Sequence, residues 1–469
     1  AAVMMIYVRG LWQVIDFGIP SGINQVLSST FRVDPELGWE KFRAGSFLTI
    51  MYALLGLVGL SLGAVYLRTP DLLKRDDMVL LSVLAGAIFF TDQIGNGLNA
   101  PFNVRGQFVT LAKLTFFIPL ASVLTGLILV VFWRSPAAML LSMALESVAL
   151  LALKGHYLAK HDGLKNILPK YNPDHCRDIM KMSFRSFIPD LSSKIGAVAD
   201  KVIVGAVLGN EKLAIYNLAQ RIPSILLESF NRVSEAITPE MTHAAKNEPE
   251  KLKSIFLRNF GFVGAIAGAG ILFVSGFGSI IEWSWLNRHR DQFGLAVFLL
   301  GIYSAFELHH STITRVFFAR GLAHLMLPFS LVNSLTTIFV TAWAAQNYGF
   351  IGVATMNCLI DVVQIIPIHI YCVKYGVPGL KFSEIFRITA ITMGTSTVAS
   401  FCVMMFLKPL NSRWASAGLL LLAPIGCVLL IAMFWRLKGI ELPGPVERRL
   451  RKIAPLRKLF GLSPQPASE

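Results

Sequence analysis

Apolar residues run along this chain in long blocks, separated by short polar connections rich in Lys and Arg. A helix needs about 20 apolar residues to cross a bilayer. By that measure the pattern predicts about thirteen membrane-spanning helices. They fall at roughly 1–29, 44–67, 78–103, 108–132, 136–158, 184–208, 213–237, 257–280, 292–318, 325–346, 350–373, 382–407 and 413–437. Proline interrupts several of them, at Pro20, Pro119, Pro189, Pro223, Pro367 and Pro424. Such breaks are tolerated where the freed backbone groups face other helices or a wet cavity. A bundle with many broken helices suits a transporter better than a scaffold. The opening run lacks the basic n-region and A-x-A-like site of a signal peptide, so it reads as a span.

Loop charge sets the expected topology. The connections around 30–43, 104–107, 159–185, 238–258, 319–324 and 374–387, with the tail after 436, hold about 25 Lys and Arg; the alternate set holds about nine. That imbalance places the first set and the C-terminus in the cytoplasm and residue 1 outside.

The chain also repeats itself. Arg9 and Asp16 match Arg221 and Glu228 at an offset of 212, and Asp34-Pro35-Glu36 matches Glu248-Pro249-Glu250 at 214. Asp92 matches Glu307, Arg105-Gly106 matches Arg320-Gly321, and Glu146 matches Asp361, all at 215. Matches in one order at a near-constant offset mark an internal duplication. The helix at 184–208 has no counterpart in the first copy, whose equivalent would lie just before Ala1. The repeat therefore predicts fourteen spans with one absent, arranged all-α as two pseudo-symmetric six-helix lobes plus two extra helices. The expected boundaries are 1–158 for an N-terminal lobe lacking its first helix, 159–183 for a cytoplasmic linker and 184–375 for a C-terminal lobe. Two additional helices then cover 376–437, followed by a basic tail at 438–469.

Charged and amide residues inside the spans line up. Asn217, Arg221, Glu228, Arg232 and Glu235 share one side of the 213–237 helix, within about 60° of one another. Glu228 precedes Arg232 by four residues, the favourable order for a direct pair. Arg221, about 10 Å along the axis from Glu228, needs a partner on another helix or an anion. The first copy repeats this with Arg9, Gln13, Asp16 and Asn24. A second stripe is Asp92, Asn96, Asn99 and Asn103, whose repeat mate carries Glu307, Ser311 and Thr314; Asp190, Lys194 and Lys201 share a side of the 184–208 helix. Ionisable residues in spans are costly and usually face a bundle interior or water. The competing reading is a salt-bridge network that locks the lobes together, or cytoplasmic-end residues simply reaching water, and it is the stronger one for Arg232 and Glu235 near a helix end. Glu146 and Asp361 read as lone structural acids. His309 and His310 are candidate proton relays, with interhelical hydrogen bonds as the alternative.

Composition narrows the class further. The 469 residues are 54% hydrophobic and 15% charged, and mean hydropathy is +0.60. A soluble domain carries about 25% charged residues, so a soluble enzyme, a nucleic-acid-binding domain and a disordered chain are excluded. The net charge of +15 is what positive-inside loops produce. Cys176, Cys358, Cys372, Cys402 and Cys427 form no C-x-x-C pair, so neither a disulfide framework nor a zinc site follows. The chain has no P-loop and no H-E-x-x-H, and no nucleophile in a recognisable setting. No catalytic residue, metal site or cofactor is expected.

The segment Val198-Ala-Asp-Lys-Val-Ile-Val-Gly-Ala-Val-Leu-Gly, followed by Ala214-Ile-Tyr-Asn-Leu-Ala-Gln-Arg221, resembles the seventh-to-eighth helix signature of polysaccharide flippases. Asp16-Phe-Gly-Ile-Pro-Ser-Gly and Ile237-Thr-Pro-Glu-Met241 resemble the ends of that family's second and eighth helices. These are the O-antigen and lipid-linked-oligosaccharide flippases of the multidrug/oligosaccharidyl-lipid/polysaccharide exporter superfamily. The resemblance implies a central cavity, alternating access, and a substrate of undecaprenyl-pyrophosphate carrying a sugar repeat unit. It implies a multi-pass protein of the bacterial inner membrane, working with a polysaccharide polymerase and a chain-length regulator. On that basis Arg9, Asn24, Asn96, Asn99, Lys194, Lys201, Asn217 and Arg221 are the candidate substrate contacts, with cations for pyrophosphate and amides for sugar. Asp16, Asp92, Asp190, Glu228, Arg232 and Glu307 are the candidate sites for a coupling proton or sodium ion, or for gating. A lipid II flippase and a multidrug/cation antiporter of the same superfamily are the nearest alternatives. A membrane glycan polymerase or ligase is the alternative of another class; it would be expected to show a large periplasmic loop, and the longest external connection is only about ten residues.

Overall fold

The computed structural model describes residues 18–31, 34–66, 75–133, 136–286, 292–437 and 459–460. Among these residues the regular structure is all helix. Seven stretches are long and apolar enough to cross a membrane. One of them, His324–Gly376, takes in both expected spans at 325–346 and 350–373, because the turn between them is a single residue. Gly349 reverses the chain there at φ 64°, and Gly209 does the same at φ 81° inside Pro173–Asn247. Both are left-handed conformations that favour glycine. Contacts divide the chain into two units, Ala1–Lys194 and Ile195–Glu469.

In the first unit, Gly18 adopts φ 65° and the helix Ile19–Thr30 begins with Pro20 in its first turn. The proline read as an interruption is thus a helix start, where its missing N–H costs nothing. Gly22 of this helix lies against Ser183, so closely that a Cβ would fall 2.0 Å from the serine Oγ. Ile23, Leu27, Phe42, Phe89, Phe102, Leu158 and Ile179 fill the core around that crossing. The stretch 159–183 is mostly helix: the end of Pro136–Asp162, the turn Leu164–Ile167 and the start of Pro173–Asn247. Its polar composition reflects exposed helix surface as well as loop. Asn172 starts the last of these helices, its Oδ1 accepting from the N–H groups of Asp174 and His175.

The duplication is visible in the backbone. Pro35 and Pro249 each open a long helix. Arg105 and Arg320 each end one, and each is followed by a left-handed glycine, Gly106 at φ 69° and Gly321 at φ 73°. Both arginines also grip the end of a neighbouring helix. Arg105 makes a bidentate pair with Asp162 at 2.5 and 2.8 Å and lies over the Trp39 ring. Arg320 donates to the carbonyls of Tyr375 and Gly376. The Arg105–Asp162 pair is largely shielded from solvent, where charge-assisted hydrogen bonds are strong. Replacing Arg105 with alanine is expected to lower stability by about 2 kcal/mol, read as a lower unfolding temperature in detergent micelles. An unchanged temperature would show that the pair contributes nothing.

In the second unit, the two additional helices of the predicted architecture are Phe382–Phe406 and Arg413–Arg436. They dock on the helical stretch Pro249–Ser275. Its glycines Gly264 and Gly268, with Gly276 just past its end, face Thr392, Ser396 and Ser400, and a Cβ on Gly268 would meet the Thr392 carbonyl at 2.5 Å. Local wide turns at Ile266–Leu272 and Ala390–Gly394 free carbonyls that side chains then satisfy. Ser400 donates to Leu272 O at 2.7 Å, and Cys427 Sγ to Ala269 O at 2.9 Å. All five cysteines are free thiols.

Candidate functional site

The polar centre of the second unit is built by two hairpins. The reversal at Gly209 brings Asp200 back against Tyr216, whose hydroxyl donates to Asp200 Oδ2 at 2.6 Å; Gln220, one turn on, reaches the same oxygen at 3.5 Å. The reversal at Gly349 brings Thr341 against Asn357, with a hydrogen bond of 3.3 Å. Asn357 then joins the hairpins: its Nδ2 donates to Asp200 Oδ2 at 3.3 Å and to Tyr216 Oη at 3.1 Å. The other carboxylate oxygen accepts the Lys201 backbone N–H at 2.7 Å. Tyr216, Gln220, Asn357 and the Lys201 backbone N–H all donate to Asp200, and Thr341 donates to Asn357. The residue is 2% exposed, and Tyr216, Gln220, Thr341 and Asn357 are buried with it. Burying so polar a set is unfavourable unless its groups are paired. Within this set the Asp200, Tyr216, Thr341 and Asn357 side chains pair with one another, while Gln220 Oε1 is buried without a partner.

Further ionisable groups surround it. Lys201 and Asp200 are electrostatic neighbours of Glu307, and Glu307 is a neighbour of Asp361; Tyr303 lies within reach of all three acids. Glu307 sits deep in the helices, yet its side chain remains accessible, whereas Asp361 is buried. Three carboxyl groups and one ammonium thus share one region of an apolar bundle. Acids concentrated at that depth take up cations or protons. No set of three metal-ligating side chains converges on one point among the described residues.

The predicted residues fall as follows. Lys201 and Glu307 belong to this centre. Asn217 is half-buried, and Arg221 and Glu228 are exposed, so the polar stripe of that helix faces outward from the unit while Tyr216 and Gln220 turn inward. Arg221 has no hydrogen bond or ion pair among the described residues. In the first unit, Asn24, Asp92 and Asn99 are half-buried and Asn96 is exposed. Arg9 and Asp16 lie outside the described residues, as do the side chains of Asp190, Lys194, Arg232 and Glu235.

One reading needs correcting, and one buried lysine was not foreseen. Asp361 is no lone acid: it stands one turn after Asn357 and within reach of Glu307. The end of the 136–158 span hides Lys154, which is buried and donates to Gly95 O at 3.3 Å. Asp200, Tyr216, Gln220 and Asn357 were missed as site residues, and Lys154 as a buried lysine of the first unit. The available signals were the i,i+4 polar pairs Tyr216/Gln220 and Asn357/Asp361, and a lysine inside an apolar run.

Among the described residues the protein is all-helical, with seven stretches long and apolar enough to cross a membrane and a buried polar centre. The sequence profile of a family described as "Polysaccharide biosynthesis protein" matches residues 21–275, just over half of the chain. The chain belongs to that family. Solved structures with a similar fold include the lipid II flippase MurJ in an inward closed conformation, at 13% identity and TM-score 0.61, covering 93% of this chain and 98% of that one. An outward-facing multidrug resistance MATE family transporter of the MOP superfamily is similar at 13% identity and TM-score 0.58, over 78% and 84% of the two chains. A MOP superfamily transporter from Pyrococcus furiosus, with a binding pocket of reversed polarity, is similar at 14% and 0.58, over 78% and 85%. Identities this low establish a shared fold. No curated protein matches the sequence.

Proposed function

We propose that this protein carries an undecaprenyl-pyrophosphate-linked oligosaccharide, an O-antigen or exopolysaccharide repeat unit, from the cytoplasmic to the periplasmic leaflet by alternating access. The observation that carries the reading is the pairing of two facts: membership of a polysaccharide biosynthesis family, and a fold shared with superfamily transporters. The exposed Arg221, without a partner among the described residues, supplies a phosphate contact, and Asn217 beside it an amide for sugar. Lys201, Asn24, Asn96 and Asn99 are further contacts in the same scheme, with Arg9 and Lys194 from the sequence. The lipid tail needs no cavity, since it can stay in the bilayer while the head group crosses.

The cycle is driven by an ion gradient or the membrane potential, with Asp200 and Glu307 as the exchanging groups: one buried and fully hydrogen-bonded, the other accessible. Asp92, Glu228, Asp16, Asp190 and Arg232 are the remaining candidates for coupling or gating. In this reading the basic loops and the 438–469 tail face the cytoplasm, and a polymerase and a chain-length regulator take up the product outside. Deleting the protein in its host should remove the surface glycan and leave lipid-linked repeat units in the inner leaflet. Unchanged surface glycan would contradict the reading.

A further inference from the structure

A second polar cluster lies in the Ile195–Glu469 unit, apart from Asp200, where the two additional helices dock. His309, His310 and His369 are buried, at 0%, 8% and 0% exposure. Ring centroids of His310 stand 6.4 Å from those of both His309 and His369, and Phe260 lies 4.1 Å from His309 and 5.8 Å from His369. The sole hydrogen bond given to these rings among the described residues is His309 Nε2 to Thr389 Oγ1, at 2.9 Å. Its polarity follows from counting protons. The Thr389 hydroxyl hydrogen points to Ile385 O at 3.1 Å, so Thr389 accepts and His309 Nε2 carries the proton. That leaves His309 Nδ1 as a bare lone pair. It is buried without a partner, as are His310 Nε2 and both nitrogens of His369.

Four unpartnered nitrogens in one apolar region call for a ligand, because each unmade hydrogen bond there costs about 1–3 kcal/mol. The neighbours limit what it can be. The Pro249–Ala265 helix contributes Phe260 and Gly264, and the Phe382–Thr389 helix contributes Thr389 and Phe382. None of these is charged; among the described residues the titratable neighbours of His309 are His310 and His369, and that of His310 is His369. A bare anion has no cation to meet here. The rings do not converge on one point as metal ligands must. Their spacing instead leaves room for water, which bridges polar groups when two to four partners surround it.

We infer that His309, His310 and His369 form a hydrated proton-binding site, separate from the Asp200 centre, at the seam between the lobe and its two additional helices. The proton comes from water and adds to a bare ring nitrogen, converting an acceptor to a donor. The His309–Thr389 bond survives this, because Nε2 already donates. A lone imidazolium at this depth would be costly. Sharing the charge over three rings through water, with the Phe260 face against His309, offsets part of that cost. His369 stands seven residues from Gly376, about 10 Å along the helix, and Lys253 of the Pro249–Ala265 helix ties down the connection beyond by bonding Glu384 and Gly379 O. That end of the helix is the route by which a proton would enter.

The test is solid-state NMR of the whole protein in liposomes with 15N-labelled histidine, titrated from about pH 8 to about pH 4. Single His→Gln variants assign the nine histidines. The expected result is that the three resonances gain a proton together, and that His369→Gln moves the midpoint of His310 by about one pH unit while exposed His156 stays put. Should a variant fail to fold, the wild-type titration decides alone: a shared midpoint supports the site. Three rings that stay neutral to the end of the range, or titrate independently, overturn it. None of these readouts involves glycan transport, so the site and the proposed function stand or fall separately.

Discussion

Replacing Arg221 with alanine is expected to reduce glycan export by at least about 100-fold while leaving the protein folded in the membrane. The side chain is exposed and has no partner among the described residues, so its removal leaves no buried group unpaired, and changes of that kind cost about 0.5 kcal/mol or less. A guanidinium on a pyrophosphate makes two charge-assisted hydrogen bonds of about 1.5–3 kcal/mol each. Their loss dominates any effect on folding. Arg221→Lys should retain part of the activity, because the charge stays but the planar fork does not. The measurement is surface glycan in a complemented deletion strain, alongside the amount of protein in the membrane. Normal export by the alanine variant would show that Arg221 does not touch the head group.

Asp200→Asn is expected to abolish the dependence of transport on the ion gradient. Coupling energies between sites run at about 1–3 kcal/mol, or about 5–150-fold, and that is the range of stimulation that should disappear. Asp200 accepts at both oxygens, so an amide must turn one acceptor into a donor facing another donor. A fall in stability of about 1–3 kcal/mol should accompany the change. Tyr216→Phe separates the two effects. It removes one donor, keeps the carboxylate, and should lower stability by about 1 kcal/mol with gradient dependence intact. If Asp200→Asn transports with an undiminished response to the gradient, the centre is structural.

Much of this architecture is legible in the sequence because the bilayer imposes it. Apolar runs give the spans, and the two tight reversals sit at glycines, Gly209 and Gly349, that the hydropathy pattern already marks as boundaries. The duplicated Arg-Gly pairs end a helix in both copies. The site was less legible, for two physical reasons. Asn357 meets Asp200 across 157 residues, and no spacing rule reaches that far. Adjacent residues on a helix also differ by about 100° in direction, so Arg221 and Glu228 face outward where Tyr216 and Gln220 face the core. The stripe was visible, but its inward neighbour holds the buried centre. Pro20 misled for a related reason: a proline in an apolar run looks like a break until the left-handed Gly18 before it shows a helix beginning.

The most direct test of the central claim is reconstitution of the purified protein into liposomes holding a fluorescent undecaprenyl-pyrophosphate oligosaccharide, with an imposed proton or sodium gradient. Leaflet exposure is read by a membrane-impermeant quencher. Protein-dependent movement of the lipid-linked glycan, accelerated by one of the gradients and lost in Arg221→Ala, is the predicted result. Glycan that stays in its original leaflet at the rate of protein-free liposomes, across a panel of lipid-linked oligosaccharides, would contradict it.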